Sequence, residues 1–284
     1  MDLEFIKMEG IGNDFIIIDD RAQTIEKKKP YPDLARQLCS RHFGIGGDGL
    51  LLILPSNDHD FKFRIYNSDG SSAQMCGNGI RCVAKYVYEK KIVPHKKMRV
   101  DTLAGTVIPE VFIDDENIVQ SVRVDMGQPI LMCSQIPFES VNKTAIDEPL
   151  VVGDNTYFVT TVSMGNPHAV IFVDDIETID IKSIGTAIET NERFLEKTNV
   201  EFIQVMNKNE LRMKVWERGA GITLACGTGA CASLVAAKLT GRSERSVVVH
   251  LDGGDLDLFW DKENNHVFME GPVTLTFTGR VRLE

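Results

Sequence analysis

The chain has 284 residues, of which 43% are hydrophobic and 25% charged, a composition typical of a globular protein with about two domains. A net charge of -10 without a dominant basic stretch argues against nucleic acid or an anionic membrane as a partner. The N-terminus has no signal-peptide pattern and no apolar run is long enough to cross a bilayer. We therefore expect a cytoplasmic protein whose thiols stay reduced.

The predicted elements are mostly short strands. Apolar or alternating runs bounded by turn residues are, in chain order, FIIID, LLIL, FKFRIY, MRVDTLAG, SVRVDM, YFVTTVSM, AVIFV, EFIQVM, LRMKVW, SVVVHL and LDLFW. Four segments are predicted as helices: PDLARQLCSRH, GIRCVAKYVYEKK from Ile80, IKSIGTAIETN despite Gly185, and GACASLVAAKLTGR from Gly229. This mixture predicts an α+β fold in which helices pack against curled antiparallel sheets.

Two stretches of the chain repeat each other. RIYNSDGSSAQMCGNG at 64–79 aligns without a gap on KVWERGAGITLACGTG at 214–229, an offset of 150 residues, and each then enters a predicted helix. GIGNDF at 10–15 and SMGNPH at 163–168 align Asn13 with Asn166 at an offset of 153. Two matches in the same order predict two similar halves, which we place at 1–120 and 121–269, with 270–284 as a strand that returns to the first half.

The six cysteines divide into two groups. No C-x-x-C and no Cys/His cluster of zinc spacing occurs, so we expect no metal and no disulfide framework. Four of them read as small buried hydrophobes: Cys39, Cys82, Cys133 and Cys231. Cys76 and Cys226 instead precede Gly-x-Gly at equivalent positions of the repeat, where each loop enters a helix.

A cysteine at the start of a helix can do proton chemistry. Glycines allow close approach of the backbone to a ligand, and a helix N-terminus offers N–H groups that can bind a carboxylate. The same field is expected to lower the pKa of the thiol and make it a better base. A lone cysteine in this setting is more often a packing residue. Two cysteines at matching positions of facing halves would place one thiol on each side of a carbon, which is the geometry that inversion of a stereocentre requires.

The motifs together resemble those of the diaminopimelate epimerase family. They are GIGNDF, YNSDGS, CGNGIRC, MGNPH, TNVEF, WERGAG and ACGTGACA, and they cover nearly the whole chain. The resemblance implies two pseudo-symmetric domains, each a curled, mostly antiparallel sheet around a central helix. It implies an isomerase without a cofactor that interconverts LL- and meso-diaminopimelate in lysine and peptidoglycan precursor biosynthesis, and a homodimer.

The resemblance also assigns site residues. Cys76 and Cys226 would be the acid/base pair, with His168 acting on Cys76 and Glu217 on Cys226. The backbone of Gly77-Asn78 and Gly227-Thr228 would bind the carboxylate at the reacting carbon. The rest of the substrate would be held by Asn13, Asn67, Asn166, Asn199 and Arg218.

Two positions depart from the family pattern, and each assignment has an alternative. Gly49 stands where many members have Gln, and Ile222 where the family usually has Glu.

The asparagines could be turn residues, and Glu217 with Arg218 a solvated pair. Alternative functions are a proline or hydroxyproline racemase-like enzyme, a non-enzymatic binding protein of the same architecture, and a thiol redox protein with a Cys76–Cys226 disulfide.

Overall fold

The chain folds into two compact units, 2–124 with 271–283 and 125–270, in a computed structural model that describes residues 2–283. The elements of the first unit are β1 (Asp2–Gly10), β2 (Asn13–Asp19), α1 (Tyr31–Cys39), β3 (Gly49–Leu54), β4 (Phe61–Asn67), β5 (Ser72–Ala73), α2 (Gly77–Glu89), β6 (Val100–Thr102), β7 (Gly105–Val107), β8 (Glu110–Ile113), β9 (Val119–Asp125, whose last residue lies in the second unit) and β19 (Thr274–Arg282). The strand order is β19-β1-β2-β3-β4-β6-β7, with β5 paired to β4, and β8 and β9 form a hairpin.

The second unit repeats this plan. Its elements are β10 (Glu148–Val152), β11 (Asn155–Ser163), β12 (Pro167–Phe172), a short 3-10 helix (Ile176–Thr178), α3 (Ile181–Glu189), β13 (Asn199–Asn207), β14 (Glu210–Glu217), β15 (Gly221–Thr223), α4 (Gly227–Leu239), β16 (Ser246–Leu251), β17 (Gly254–Trp260) and β18 (Val267–Gly271). The strand order is β10-β11-β12-β13-β14-β16-β17-β18, with β15 paired to β14. Neighbouring strands are antiparallel except for β12–β13 and β14–β16, as they are in the first unit except for β2–β3 and β4–β6.

The offset of 150 residues extends over whole helices. Helix α1 at Tyr31–Cys39 corresponds to α3 at Ile181–Glu189, and α2 at Gly77–Glu89 corresponds to α4 at Gly227–Leu239, each pair differing by 150. The predicted fold class, two pseudo-symmetric α+β halves, is confirmed by this correspondence.

One helix of each unit is almost entirely buried. Ten residues of α2 are buried, and α4 is buried continuously from Gly229 to Ala237. Helix α4 is apolar on nearly all sides, as expected of a core helix, whereas α2 also buries Arg81 and Lys85. Each of the two helices packs against several strands of its own unit. The four cysteines predicted as core residues, Cys39, Cys82, Cys133 and Cys231, are all buried, and all six cysteines are free thiols.

The predicted starts of both buried helices were too late. Helix α2 begins at Gly77 instead of Ile80, and α4 at Gly227 instead of Gly229. The glycines belong to the first helical turn because the preceding cysteine caps it, so they do not mark a loop. Strand β1 was missed altogether, because its charged residues interrupt the apolar alternation even though Leu3 and Phe5 enter the core.

Candidate active site

Cys76 and Cys226 have the same local structure. Each has extended backbone dihedrals, with φ -140° and ψ 117° at Cys76 and φ -133° and ψ 107° at Cys226. Each sulfur accepts a hydrogen bond from the backbone N–H three residues later, that of Gly79 or Gly229, at 3.4 Å in both cases. The two thiols are therefore helix N-caps, and the first N–H groups of α2 and α4 lie beside them.

In the first unit, Asn13 and Asn78 lie next to the Cys76 sulfur. The Sγ of Cys76 is 3.9 Å from Oδ1 of Asn13, and the Asn78 amide donates to the same oxygen at 3.3 Å. The amide nitrogen of Asn13 donates to Oδ2 of Asp48 at 2.6 Å, which fixes the side chain with its oxygen towards the thiol. Cys76 is partly exposed, whereas Asn78 is buried.

A charged cluster that the sequence analysis did not identify supports Asn13. Arg41 donates to both Asp14 and Asp48 at 2.7 Å, and Lys7 pairs with Asp14. Burial would raise the pKa of Asp14, but the hydrogen bonds and charges of Arg41 and Lys7 outweigh it and lower this pKa from its ordinary value. Asp48 therefore anchors Asn13 while both carboxylates are balanced by cations.

In the second unit, a chain of polar side chains leads to the Cys226 sulfur. Oγ1 of Thr228 lies 3.6 Å from Sγ of Cys226, and the Asn166 amide donates to the same hydroxyl at 3.3 Å. The Oδ1 of Asn166 lies 3.0 Å from Nε2 of His168. The other ring nitrogen, Nδ1, lies 2.7 Å from Oε1 of Glu201, and both of these side chains are fully buried.

The pKa of Cys226 moves in the direction opposite to the one expected. Burial, together with the negative charges of Glu217 and Glu201, raises the pKa of the thiol well above its ordinary value. Hydrogen bonds from Thr228 and from the Gly229 N–H lower the pKa, but by less than burial and the two charges raise it. The expected lowering of this pKa rested on the helix N-terminus alone. Glu217 was assigned to Cys226 by the family resemblance, whereas Glu201, on another strand, was not predicted. In this state Cys226 is therefore a protonated thiol, suited to donate a proton.

The remaining predicted site residues lie at strand ends. Asn199 is buried, donates to the Pro167 carbonyl at 2.9 Å and accepts from the Arg218 N–H at 2.9 Å, so its amide ties two segments together. The exposed Arg218 guanidinium donates to the Glu196 carbonyl at 2.9 Å. Asn67 is exposed and donates to the Ser71 hydroxyl at 2.9 Å, as a turn residue does.

Glu217 and the glycine pairs complete the set. The Glu217 carboxylate accepts a hydrogen bond from Thr223, which lies across the β14–β15 pair. Gly77 and Gly227 are the first residues of α2 and α4. The structure thus gathers Asn13 and Asn78 at Cys76, and Asn166, His168, Thr228 and Glu217 around Cys226.

Both departures from the family pattern have a structural setting. Gly49 pairs with Asn67 across β3 and β4, and a Cβ at this position would lie 3.0 Å from the Tyr66 carbonyl oxygen. A side chain at position 49 therefore requires a shift of the neighbouring backbone. Ile222 lies on β15 opposite Trp216 and is 55% exposed, and nothing in the structure explains its choice over Glu.

Residues 2–283 contain neither a metal-binding cluster nor a membrane-spanning helix. No group of three or more His, Cys, Asp or Glu side chains in this range is arranged to hold a metal ion. Within the same range, none of the helices combines the length and the apolar character needed to span a bilayer.

Solved structures share this architecture at low sequence identity. A probable proline racemase from Agrobacterium radiobacter K84 superposes with a TM-score of 0.73 at 15% identity, covering 99% of this chain and 93% of that one. A hydroxyproline epimerase from Agrobacterium vitis gives a TM-score of 0.72 at 14% identity, with 99% and 91% covered. The fold is thus the one found in these amino-acid racemases and epimerases.

Sequence relatives narrow the class to one family. The chain matches the family profile described as diaminopimelate epimerase over residues 5–132 and 160–276. It is 54% identical to diaminopimelate epimerase of Desulforapulum autotrophicum, with both chains covered completely, and 48% identical to that of Heliobacterium modesticaldum, with 99% and 100% covered. The chain belongs to the diaminopimelate epimerase family and is an isomerase, which confirms the resemblance of the motifs.

Proposed function

We propose that the protein interconverts LL- and meso-diaminopimelate without a cofactor, as a step of lysine and peptidoglycan precursor biosynthesis. The observation that carries this proposal is the pair of cysteine N-caps at equivalent positions of a doubled fold, in a chain 54% identical to a diaminopimelate epimerase. We further propose that the enzyme works in the cytoplasm, as the sequence predicts, and as a homodimer, as the family resemblance implies.

The proposed reaction exchanges one proton at each sulfur. The Cys76 thiolate removes the α-proton and becomes a thiol, leaving a carbanion. The Cys226 thiol then donates its proton to the opposite face of that carbon and becomes a thiolate. The raised pKa of Cys226 supports its role as the acid when Cys76 removes the α-proton. In the reverse reaction the two cysteines exchange roles.

The barrier would be lowered by electrostatic stabilisation. The carbanion is conjugated with the substrate carboxylate, so negative charge grows on the carboxylate oxygens in the transition state. The N–H groups of Gly77-Asn78 and Gly227-Thr228 belong to the first turns of α2 and α4, and helix N-termini favour such charge. His168, Glu217, Asn13, Asn67, Asn166, Asn199 and Arg218 are proposed to tune the thiols and hold the distal end of the substrate.

Incubation with LL-diaminopimelate in deuterated water tests the proposal. We expect solvent deuterium at one α-carbon of the product, detected by mass spectrometry and NMR. Parallel reactions with L-proline and trans-4-hydroxy-L-proline should show no exchange. Exchange of only the proline substrates would overturn the assigned substrate while leaving the family fold unchanged.

Cysteine variants test the two-base assignment. Cys76→Ala and Cys226→Ala should each lower turnover by at least about 10³-fold, since each removes an acid/base group, and the Ser variants should be weak because a hydroxyl is a poor base. Cys82→Ala and Cys231→Ala, buried cysteines of the same two helices, are matched controls and should keep turnover within about twofold of wild type. If either of the first two variants retained full turnover, the assignment would be wrong.

A further inference from the structure

Glu201 is the most unusual residue of the second unit. It lies in β13 with a fully buried side chain, in the run NVEFIQV that is otherwise largely apolar. Its Oε1 accepts the hydrogen bond from His168, while Oε2 is buried and has no hydrogen-bond partner among residues 2–283. A buried carboxylate with one unsatisfied oxygen is costly, so its presence needs a reason other than stability.

The first unit shows what the fold requires at these positions. At the offset of 150, Glu201 corresponds to Leu51, and at the offset of 153, His168 corresponds to Phe15. Both Leu51 and Phe15 are buried in the core of the first unit. An apolar pair therefore satisfies the same architecture, and the polar His168–Glu201 pair of the second unit serves something other than packing.

The His168–Glu201 pair begins a series of polar side-chain contacts that ends at the Cys226 thiol. From Glu201 the contacts pass to His168 at 2.7 Å, from there to Asn166 at 3.0 Å, and from Asn166 to Thr228 at 3.3 Å. The last contact joins Thr228 to the sulfur of Cys226 at 3.6 Å. A carboxylate that accepts from Nδ1 fixes both the tautomer and the orientation of an imidazole ring.

Glu201 also approaches the helix N-cap directly. A Cβ built on Gly229 would lie 2.6 Å from Oε1 of Glu201 and 3.2 Å from Sγ of Cys226, so the carboxylate and the sulfur border the same glycine. The negative charge of Glu201 is one of the causes of the raised Cys226 pKa.

We propose that Glu201 is a positioning residue of the epimerase: it holds His168 through Nδ1 and thereby orders the Asn166–Thr228 contacts that end on the Cys226 sulfur. This inference rests on the proposed function for its kinetic consequence, but the hydrogen bond on which it depends can be measured without substrate.

Nitrogen-15 NMR of the histidine rings tests the hydrogen bond in the wild-type protein. His168 is the one fully buried histidine among the described residues, so its ring proton should exchange slowly with water and its signal should be absent from His168→Gln. We expect this slowly exchanging proton on Nδ1. A wild-type His168 that carries no Nδ1 proton, or exchanges it as fast as the exposed histidines, would overturn the proposal without any variant being made.

Two variants then connect the hydrogen bond to turnover. Glu201→Gln keeps the size and an acceptor oxygen but removes the charge, and Glu201→Asp keeps the charge but withdraws the carboxylate from Nδ1. Each should lower kcat about 10- to 100-fold, the usual effect of losing such an outer partner, with KM within about twofold, and each should speed exchange of the ring proton. If either folded variant kept wild-type kcat and ring-proton exchange, Glu201 would have no positioning role.

Glu148→Gln is the matched control. Glu148 is a buried carboxylate of the same unit, paired with Arg193, Ser140 and Asn142 away from the polar chain. Its variant should lower thermal stability while leaving the His168 ring signal and kcat unchanged.

Absence of deuterium exchange by the wild-type enzyme would refute the proposed function, whereas the NMR outcome decides the role of Glu201 separately.

Discussion

At the scale of single residues, the protonation state of Cys226 is decided by burial and by nearby carboxylates, and not by its helix. The sulfur caps α4, where a thiolate would be favoured, yet it is 7% exposed and has Glu217 and Glu201 as charged neighbours. Burial and like charge both penalise the thiolate, and together they exceed the effect of one backbone N–H and one hydroxyl. A thiol kept protonated in this way stores the proton that the proposed reaction requires.

Glu217→Gln should lower the pKa of the Cys226 thiol because it removes one of the two negative charges that raise it. With a lower pKa, a larger fraction of Cys226 is thiolate at any pH below that pKa. Alkylation by iodoacetamide, followed at the Cys226 peptide by mass spectrometry, should therefore be faster at a fixed pH. A shift of about one unit corresponds to about tenfold in rate.

The control for this measurement is Glu177→Gln. Glu177 is an exposed carboxylate of the same unit that pairs with Lys214, and solvent screens its charge from the sulfur. Its variant should leave the alkylation profile of Cys226 unchanged. Equal profiles for Glu217→Gln and wild type would mean that the Glu217 charge does not act on the sulfur.

At the scale of elements, helices α2 and α4 begin alike but differ in what surrounds their first turn. A Cβ on Gly79 would meet the two Cδ atoms of Leu51 at 3.2 and 3.3 Å. A Cβ on Gly229 would lie 2.6 Å from Glu201 and 3.0 Å from the methyl of Met213. In the second unit, the Glu201 carboxylate therefore occupies the space that a side chain at position 229 would need, close to the N-cap of α4.

Gly229→Ala should destabilise the protein more than Gly79→Ala. Alanine is the better helix former by about 1 kcal/mol, so this propensity favours both variants equally. The close contact at Gly229 should outweigh it, with a net loss of about 1–3 kcal/mol, whereas Gly79→Ala should be within about 1 kcal/mol of wild type. Urea unfolding of the two variants gives both values. A Gly229→Ala variant as stable as Gly79→Ala would contradict the tight packing between Glu201 and α4.

The sequence predicted the elements of the site better than their contacts. The repeated Cys-Gly-x-Gly located both helices and both thiols, because a capping residue and its glycines are local features of the chain. Helix α3 was predicted although Gly185 weakened the pattern. The structure explains that glycine, since a Cβ there would lie 2.6 Å from the Trp216 side chain. Such a contact joins residues far apart in the chain and leaves no local signal.

The supporting residues were missed for the same reason. Asp48, which directly precedes β3, and Glu201 in β13 gain their roles only because the fold places them beside Asn13 and His168. One sequence signal does point to Glu201: when the two halves are aligned, this carboxylate takes the position of Leu51, a buried strand residue. A comparison of the two halves for polarity, as well as for identity, would have found it.

At the scale of the whole molecule, the two units differ in where the edge strand of their sheet comes from in the sequence. In the second unit, β10 lies at the sheet edge and pairs with β11, the next strand in the chain. In the first unit the corresponding edge, beside β1, is occupied by β19 from the far end of the sequence. The fold of the first unit therefore depends on residues that follow the complete second unit.

Removal of 272–284 should consequently unfold the β1 edge while sparing the second unit. Strand β1 pairs with β19 from Asp2 to Glu9, and Phe5 packs edge-to-face on Phe277 with ring centroids 5.9 Å apart. Truncation exposes Leu3 and Phe5, whose loss from the core should cost about 3–5 kcal/mol. In hydrogen exchange, the β1 amides should lose protection, while the amides of β12 and β13 keep it because their partners lie within 125–270. Protection of β1 equal to that in the full chain would show that β19 adds nothing to the first unit.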